Sequence, residues 1–63
     1  GVSRKQYIIR LRAERAADLL ATTDLPIVRI AAECGYYDQS QLSRQFRDHV
    51  GMAPSDYRAT ARR

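Results

Sequence analysis

Helical periodicity is interrupted at three places in this 63-residue chain, and these interruptions limit what it can fold into. Between them, apolar residues recur every three or four positions, and no segment alternates as a β-strand would. The interruptions are Thr23-Asp24-Leu25-Pro26, Gly35, and the stretch from Gly51 to Pro54. Glycine and proline at these points favour turns over continued helix. We therefore predict four helices in an all-α fold, with no room for an elaborate enzyme cavity beside the core.

The first two helices are delimited by residues that favour helix ends. Ser3 is a preferred N-cap residue and Gln6 stands where it completes a capping box, so a long helix is predicted to about residue 22. A short amphipathic helix is predicted over about residues 26–34. Proline suits its first turn, and Gly35 suits the left-handed residue that follows its end.

The last two helices are delimited in the same way. Asp38 is predicted to cap a helix that runs to about residue 50, and Gln41 stands at its capping-box position. Gly51 closes this helix. Pro54 opens a short final helix to about residue 61, and the two arginines beyond it are expected to form a frayed tail.

The charge balance favours a polyanionic partner. Lys and Arg number 11 against 7 Asp and Glu, which gives a formal net charge of +4. Nucleic acid is the first candidate and an acidic membrane surface the second. No apolar run approaches the ~20 residues of a membrane span and no signal peptide is recognised, so a cytoplasmic protein is expected.

Side chains that support metal or catalytic chemistry are scarce. Cys34 is the only cysteine, which excludes an internal disulfide and a cysteine-rich zinc site. Its helical spacing from Ile30 predicts a core position, and His49 is expected to pack inward near a helix end. The sequence shows no Ser-His-Asp order, paired carboxylates or glycine-rich phosphate loop. We predict no enzyme, no catalytic residue, no metal and no cofactor.

The first helix has apolar residues on two sides. The broader side carries Ile8, Ile9, Ala13, Ala16, Leu19 and Leu20. Tyr7 and Leu11 lie on another side, separated from it by charged positions. A helix that is apolar on two sides usually contacts two bodies. Arg12 falls within the broader apolar side, which helical periodicity alone does not explain.

Residues 27–50 have the helix-turn-helix layout of a short helix, a tight turn and a second helix. On the second helix, Leu42, Phe46, His49 and Val50 share the inward side, and Ser40, Gln41, Arg44 and Arg47 point away from it. Glutamine and arginine form bidentate hydrogen bonds to adenine and guanine, so this side has the chemistry of base reading. In the alternative interpretation it is a solvated surface, with Arg44 paired to Asp48 for ~0.2–0.5 kcal/mol.

Spaced motifs along nearly the whole chain resemble the C-terminal signature of AraC/XylS regulators of bacterial transcription. They are Ile27-x-x-Ile30-Ala31-x-x-x-Gly35-Tyr36, Gln39-Ser40-x-Leu42-Ser43-Arg44-x-Phe46-Arg47, and Gly51-x-x-Pro54-x-x-Tyr57-Arg58. The resemblance implies a homeodomain-like three-helix unit, the second of two in a DNA-binding domain. Residues 1–23 then form a linker helix, and residues 24–63 form the second unit with its closing helix.

The resemblance also implies roles for individual residues. The recognition helix spans about residues 38–50 and lies in a major groove of double-stranded DNA. The implied base contacts are Gln39, Ser40, Gln41 and Arg44, and the implied backbone contacts are Ser43 and Arg47. The helical wheel alone places Gln39 on the core side. Ala53 stands where the family commonly has a capping serine, so the final helix is expected to start without a side-chain cap.

Two other functions remain open at this stage. A helical protein-interaction module, using the exposed apolar side of the first helix, is the main rival. Both functions hold together if a longer protein also contacts RNA polymerase, as the resemblance implies. A basic helix on a membrane surface is the third candidate, and no small-molecule site is expected.

Overall fold

The computed structural model describes residues 3–62, and within them the fold is all-α, as predicted. The four helices are α1 (Arg4–Thr22), α2 (Ile27–Glu33), α3 (Gln39–Val50) and α4 (Pro54–Ala61). Every helix boundary lies within about one residue of the position that caps, glycine and proline predict.

The helix N-termini follow their predicted chemistry. The Ser3 hydroxyl accepts a hydrogen bond from the Gln6 backbone N–H at 3.2 Å. The Asp38 carboxylate accepts one from the Gln41 backbone N–H at 2.8 Å. Ala53 precedes α4 in extended conformation and provides no side-chain cap, as expected. The N-termini of α1 and α3 therefore have a side-chain cap, which accepts from a backbone N–H without a partner inside the helix, and the N-terminus of α4 has none.

The core lies where α2, α3 and α4 pack against the second half of α1. Its fully buried large side chains are Leu20, Ile30, Leu42 and Phe46. Smaller or partly polar residues complete it: Ala13, Ala16, Ala31, Cys34 and Tyr36. The Phe46 ring meets the Tyr57 ring edge to face, with centroids 5.4 Å apart. This packing holds α3 firmly by one side only.

Cys34 and Tyr36 are core residues, as predicted for Cys34. Burial raises the pKa of the Cys34 thiol. Burial also raises the pKa of the Tyr36 hydroxyl, to about 12. Both groups therefore stay neutral near neutral pH. The Arg12 guanidinium lies 6.0 Å from the centroid of the Tyr36 ring, which accounts for an arginine on the broader apolar side of α1.

One inward assignment is wrong, and the broader apolar side of α1 is not buried along its whole length. His49 is exposed, and in the last turn of α3 it is Val50 that packs, partly buried, against the core. Ile8 is 37% exposed. Burial on α1 begins at Ala13, so its first two turns project beyond the four-helix core.

Arg58 and Arg62 donate hydrogen bonds to backbone carbonyls at the C-terminus of α1. Arg58 donates from Nε to the Leu20 carbonyl and from a terminal nitrogen to the Thr23 carbonyl, both at 3.2 Å. Arg62 donates to the Thr23 carbonyl at 3.3 Å and pairs with the Asp24 carboxylate. These carbonyls have no helical partner, and cations favour this end of a helix. The expectation of a frayed tail is therefore wrong for Arg62, and Arg63 lies outside the described residues.

Candidate functional site

The turn between α2 and α3 is fixed by backbone hydrogen bonds. The Gly35 N–H donates to the Ala32 carbonyl at 3.3 Å, and the Tyr36 N–H donates to the Ala31 carbonyl at 2.9 Å. Gly35 has the positive φ of +86° that this helix ending requires. The buried Tyr36 side chain then anchors the turn to the core. These contacts set the direction in which α3 starts.

Five polar side chains come together on the outer side of α3. Leu42 and Phe46 are fully buried one helical turn apart, so the opposite side of the helix faces solvent. One concave surface there is lined by five of the six residues predicted to contact DNA. We call it the reading face, and it comprises Gln39, Ser40, Ser43, Arg44 and Arg47. The side chain of Gln39, which the helical wheel placed inward, belongs to this surface.

The reading face is positively charged. Among residues 3–62, the ion pairs join Arg10 to Glu14, Arg29 to Glu33 and Arg62 to Asp24. Pairing of Arg44 with Asp48, the alternative weighed above, is therefore wrong. The two guanidinium groups of the reading face remain available to a ligand. The Asp38 carboxylate caps the N-terminus of α3 and offsets the partial positive charge there, so the positive charge of the surface comes from these two arginines.

Gln41 lies apart from the other five predicted residues. Its side chain is half-buried and lines a groove between α1 and α3, beside Arg4, Lys5 and Arg12. Its Oε1 accepts a hydrogen bond from the Tyr37 N–H at 2.6 Å. In the predicted capping box this side chain would bond to the N-cap residue itself. The bond instead reaches one residue further back, into the turn.

Two further residues border the reading face, and neither was predicted to do so. Asp48 and Ala53 line the same concave surface. Asp48 follows Arg44 by four residues, so helical spacing could have placed it there. Ala53 comes from the loop before α4, and no local pattern predicts its position.

Metal clusters and membrane-spanning helices are not found among residues 3–62. In that range, His, Cys, Asp and Glu form no group of three or more that could hold a metal ion. None of the helices described is long and apolar enough to cross a membrane.

Comparison with known proteins gives one consistent result. A family model described as a helix-turn-helix domain matches residues 1–60. The probable transcriptional regulator LumQ of Photobacterium leiognathi is 37% identical over 57 residues, which cover 90% of this chain and 23% of that protein. The regulatory protein SoxS of Salmonella typhimurium is 45% identical over 53 residues, which cover 84% of this chain and 50% of that protein.

Solved structures match as well. The DNA-binding domain of AdpA, crystallised with a target DNA, superposes with a TM-score of 0.94 at 34% identity, over 98% of this chain and 56% of that one. A regulator from Chromobacterium violaceum with an AraC-type DNA-binding domain superposes with a TM-score of 0.93 at 33% identity, over 97% of this chain and 55% of that one. The chain thus spans about half of each structure, and half or less of the LumQ and SoxS proteins.

Proposed function

Because the chain belongs to the AraC-type helix-turn-helix family, we propose that it binds double-stranded DNA sequence-specifically as part of a bacterial transcription regulator. In this proposal α3 enters a major groove with its reading face toward the base edges. The observation that carries the proposal is the position of five predicted contact residues on one solvent-facing side of α3. The fixed turn before α3 keeps this side oriented before DNA arrives.

Each reading-face residue has a role that suits its chemistry. Arg44 donates to guanine O6 and N7, Gln39 bonds to adenine N6 and N7, and Ser40 bonds to a base edge. Ser43 and Arg47 bond to phosphates and fix the register of the helix. The net charge of +4 supports the phosphate contacts and makes binding sensitive to salt.

A nitrogen-15 NMR titration with short duplexes tests the location of binding, even where affinity is low. We expect the backbone amides of Ser40, Ser43 and Arg44 to shift as duplex is added, with smaller shifts at higher salt. The amides of Tyr7 and Leu11, on the projecting part of α1, serve as internal controls. Shifts confined to these controls would place the DNA contact on α1 and overturn the role proposed for the reading face.

A second experiment tests sequence reading. Duplexes selected from a random pool are titrated with the wild-type chain, Arg44→Ala, and the matched control Arg10→Ala, which removes the same charge from an exposed site on α1. We expect Arg44→Ala to weaken selected duplexes by ~1–3 kcal/mol and to relax preference at one base pair. Arg10→Ala should leave that preference unchanged. Equal loss for both variants on every duplex would contradict base reading by Arg44.

The wider organisation is a further part of the proposal. The exposed apolar side chains of Tyr7, Ile8 and Leu11 suit a second packed body. We propose that residues 1–23 act as a linker helix between two helix-turn-helix units, with residues 24–63 as the second unit. A cytoplasmic location, beside the bacterial chromosome, follows from the proposed function. Contact with RNA polymerase stays a prediction.

A further inference from the structure

We propose that Gln41 is a positioning residue, which holds the turn before α3 in place and does not read a base. The proposal rests on the assignment of α3 as the recognition helix. It removes one residue from the set of base contacts that the sequence predicts. It also identifies a contact that orients the remaining ones.

The Gln41 amide is oriented toward the turn. A backbone N–H can only donate, so the atom 2.6 Å from the Tyr37 nitrogen is the amide oxygen. Bidentate recognition of adenine uses both ends of a glutamine amide, the oxygen to accept and the nitrogen to donate. Here the oxygen points back past the start of α3. The half-buried side chain also faces the groove beside α1 and not the reading face.

The turn before α3 is held by hydrogen bonds to both of its neighbouring helices. The N–H groups of Gly35 and Tyr36 bond to carbonyls of α2, so these two residues follow the end of that helix. The Tyr37 N–H bonds to a side chain of α3 instead. The Tyr37 side chain is 91% exposed and does not anchor the turn by packing. The Gln41 bond is therefore the hydrogen bond that ties Tyr37 to α3.

Two reciprocal hydrogen bonds connect Gln41 to the residues just before α3. The Asp38 carboxylate accepts from the Gln41 backbone N–H, while the Gln41 side chain accepts from the Tyr37 backbone N–H. Losing the second bond frees Tyr37 and loosens the first turn of α3. Gln39 and Ser40 lie in that turn of the helix, and any DNA complex must order it before they can bind. Loss of the Gln41 bond should therefore weaken every DNA complex by the same factor.

Two matched variants separate a positioning residue from a base reader. Gln41→Met keeps the length of the side chain and removes the acceptor, whereas Gln41→Glu keeps an acceptor at the same place. Hydrogen exchange of the Tyr37 amide is measured by NMR without DNA. We expect exchange to become roughly 2- to 12-fold faster in Gln41→Met, the range for one net hydrogen bond. Gln41→Glu should restore the wild-type rate.

The same Gln41→Met chain is then titrated with the selected duplexes. We expect equal loss of affinity on all of them and an unchanged preferred sequence. A changed preference at one base pair, with unchanged Tyr37 exchange, would overturn the proposal and make Gln41 a base reader. If no duplex binds the wild-type chain, the proposed function fails. The Tyr37 rates would still decide whether Gln41 holds the turn.

Discussion

The two halves of α1 differ sharply in how they are held. In the second half, Ala13, Ala16 and Leu20 are completely buried. In the first half, Tyr7 is 48% exposed and Leu11 is 43% exposed. One continuous helix therefore belongs to the core at one end and projects from it at the other.

The ends of the helix differ in the same way. Arg58 and Arg62 bond to the carbonyls at the C-terminus and link them to α4. At the N-terminus, the Ser3 cap is a local contact with the first turn of the same helix. The comparison teaches that the second half of α1 is part of the packed core, and that the first half presents apolar side chains to solvent.

The largest expected effect on stability separates two leucine truncations, one in each half of α1. Leu20→Ala should reduce the free energy of unfolding by ~2–5 kcal/mol, because it leaves a cavity in the core. Leu11→Ala should change it by less than ~0.5 kcal/mol, as at other surface sites. Urea denaturation followed by circular dichroism measures both. Similar losses for the two variants would show that the projecting half is packed after all.

For a chain of this size the first of these losses is severe. Total stability of roughly 0.05–0.15 kcal/mol per residue predicts only ~3–9 kcal/mol for the whole chain. A loss of ~2–5 kcal/mol is a large share of that total, so the urea midpoint should fall much further for Leu20→Ala than for Leu11→Ala.

Removing the Arg58 side chain, which bonds to the C-terminus of α1, should have an intermediate effect on the free energy of unfolding. Arg58→Ala deletes two charge-assisted hydrogen bonds at a half-buried site, so we expect a loss of about 1.5 kcal/mol. Arg58→Lys should recover only part of it, because an ammonium group does not reproduce the planar fork. Hydrogen exchange should quicken at the Thr23 amide and stay unchanged at the Tyr7 amide. Equal acceleration at both would mean that Arg58 stabilises the whole chain and not one end of α1.

Local rules predict the helices of this chain well. Ser3, Asp38, Gly35 and Gly51 act within a few residues of themselves, and the structure confirms each of them. The link from Arg58 to the end of α1 joins residues 38 and 35 positions apart in the chain. No local rule places those groups together, so it could not be predicted.

The site shows the same limit on a smaller scale. The family resemblance placed Gln39 on the outer side of α3 and the structure agrees, although the helical wheel alone did not. For Gln41, by contrast, the helical wheel predicted an outward position on α3. Its side chain turns back to the Tyr37 backbone amide in the turn before the helix, and a wheel carries no information about such a partner.

A smaller effect is expected where the sequence departs from a good helix start. Ala53 already has the extended backbone of an N-cap residue. Ala53→Ser should therefore add an acceptor without moving the chain, and raise the free energy of unfolding by ~1 kcal/mol. Ala59→Ser, at an exposed position inside α4, is the matched control and should not stabilise. A gain shared by both would show that capping is not the cause.

The smallest effect concerns the ion pair between Arg62 and Asp24 beside the end of α1. A hydrogen bond and the charge of Arg62 hold the pKa of the Asp24 carboxyl below its ordinary value of 3.8. A carboxyl whose pKa is lower in the folded state stabilises the fold above the unfolded-state pKa, and this stabilisation is lost as pH falls through the folded-state pKa. The difference in stability between wild type and Asp24→Asn should therefore be constant near neutral pH and shrink below 3.8.

Urea midpoints across the acid range measure this difference, and added salt should reduce it because the pair is exposed to solvent. A difference that persisted in strong acid would assign the stabilisation to the shape of the side chain and not to its charge. Arg58 would then be the arginine whose charge stabilises the C-terminus of α1.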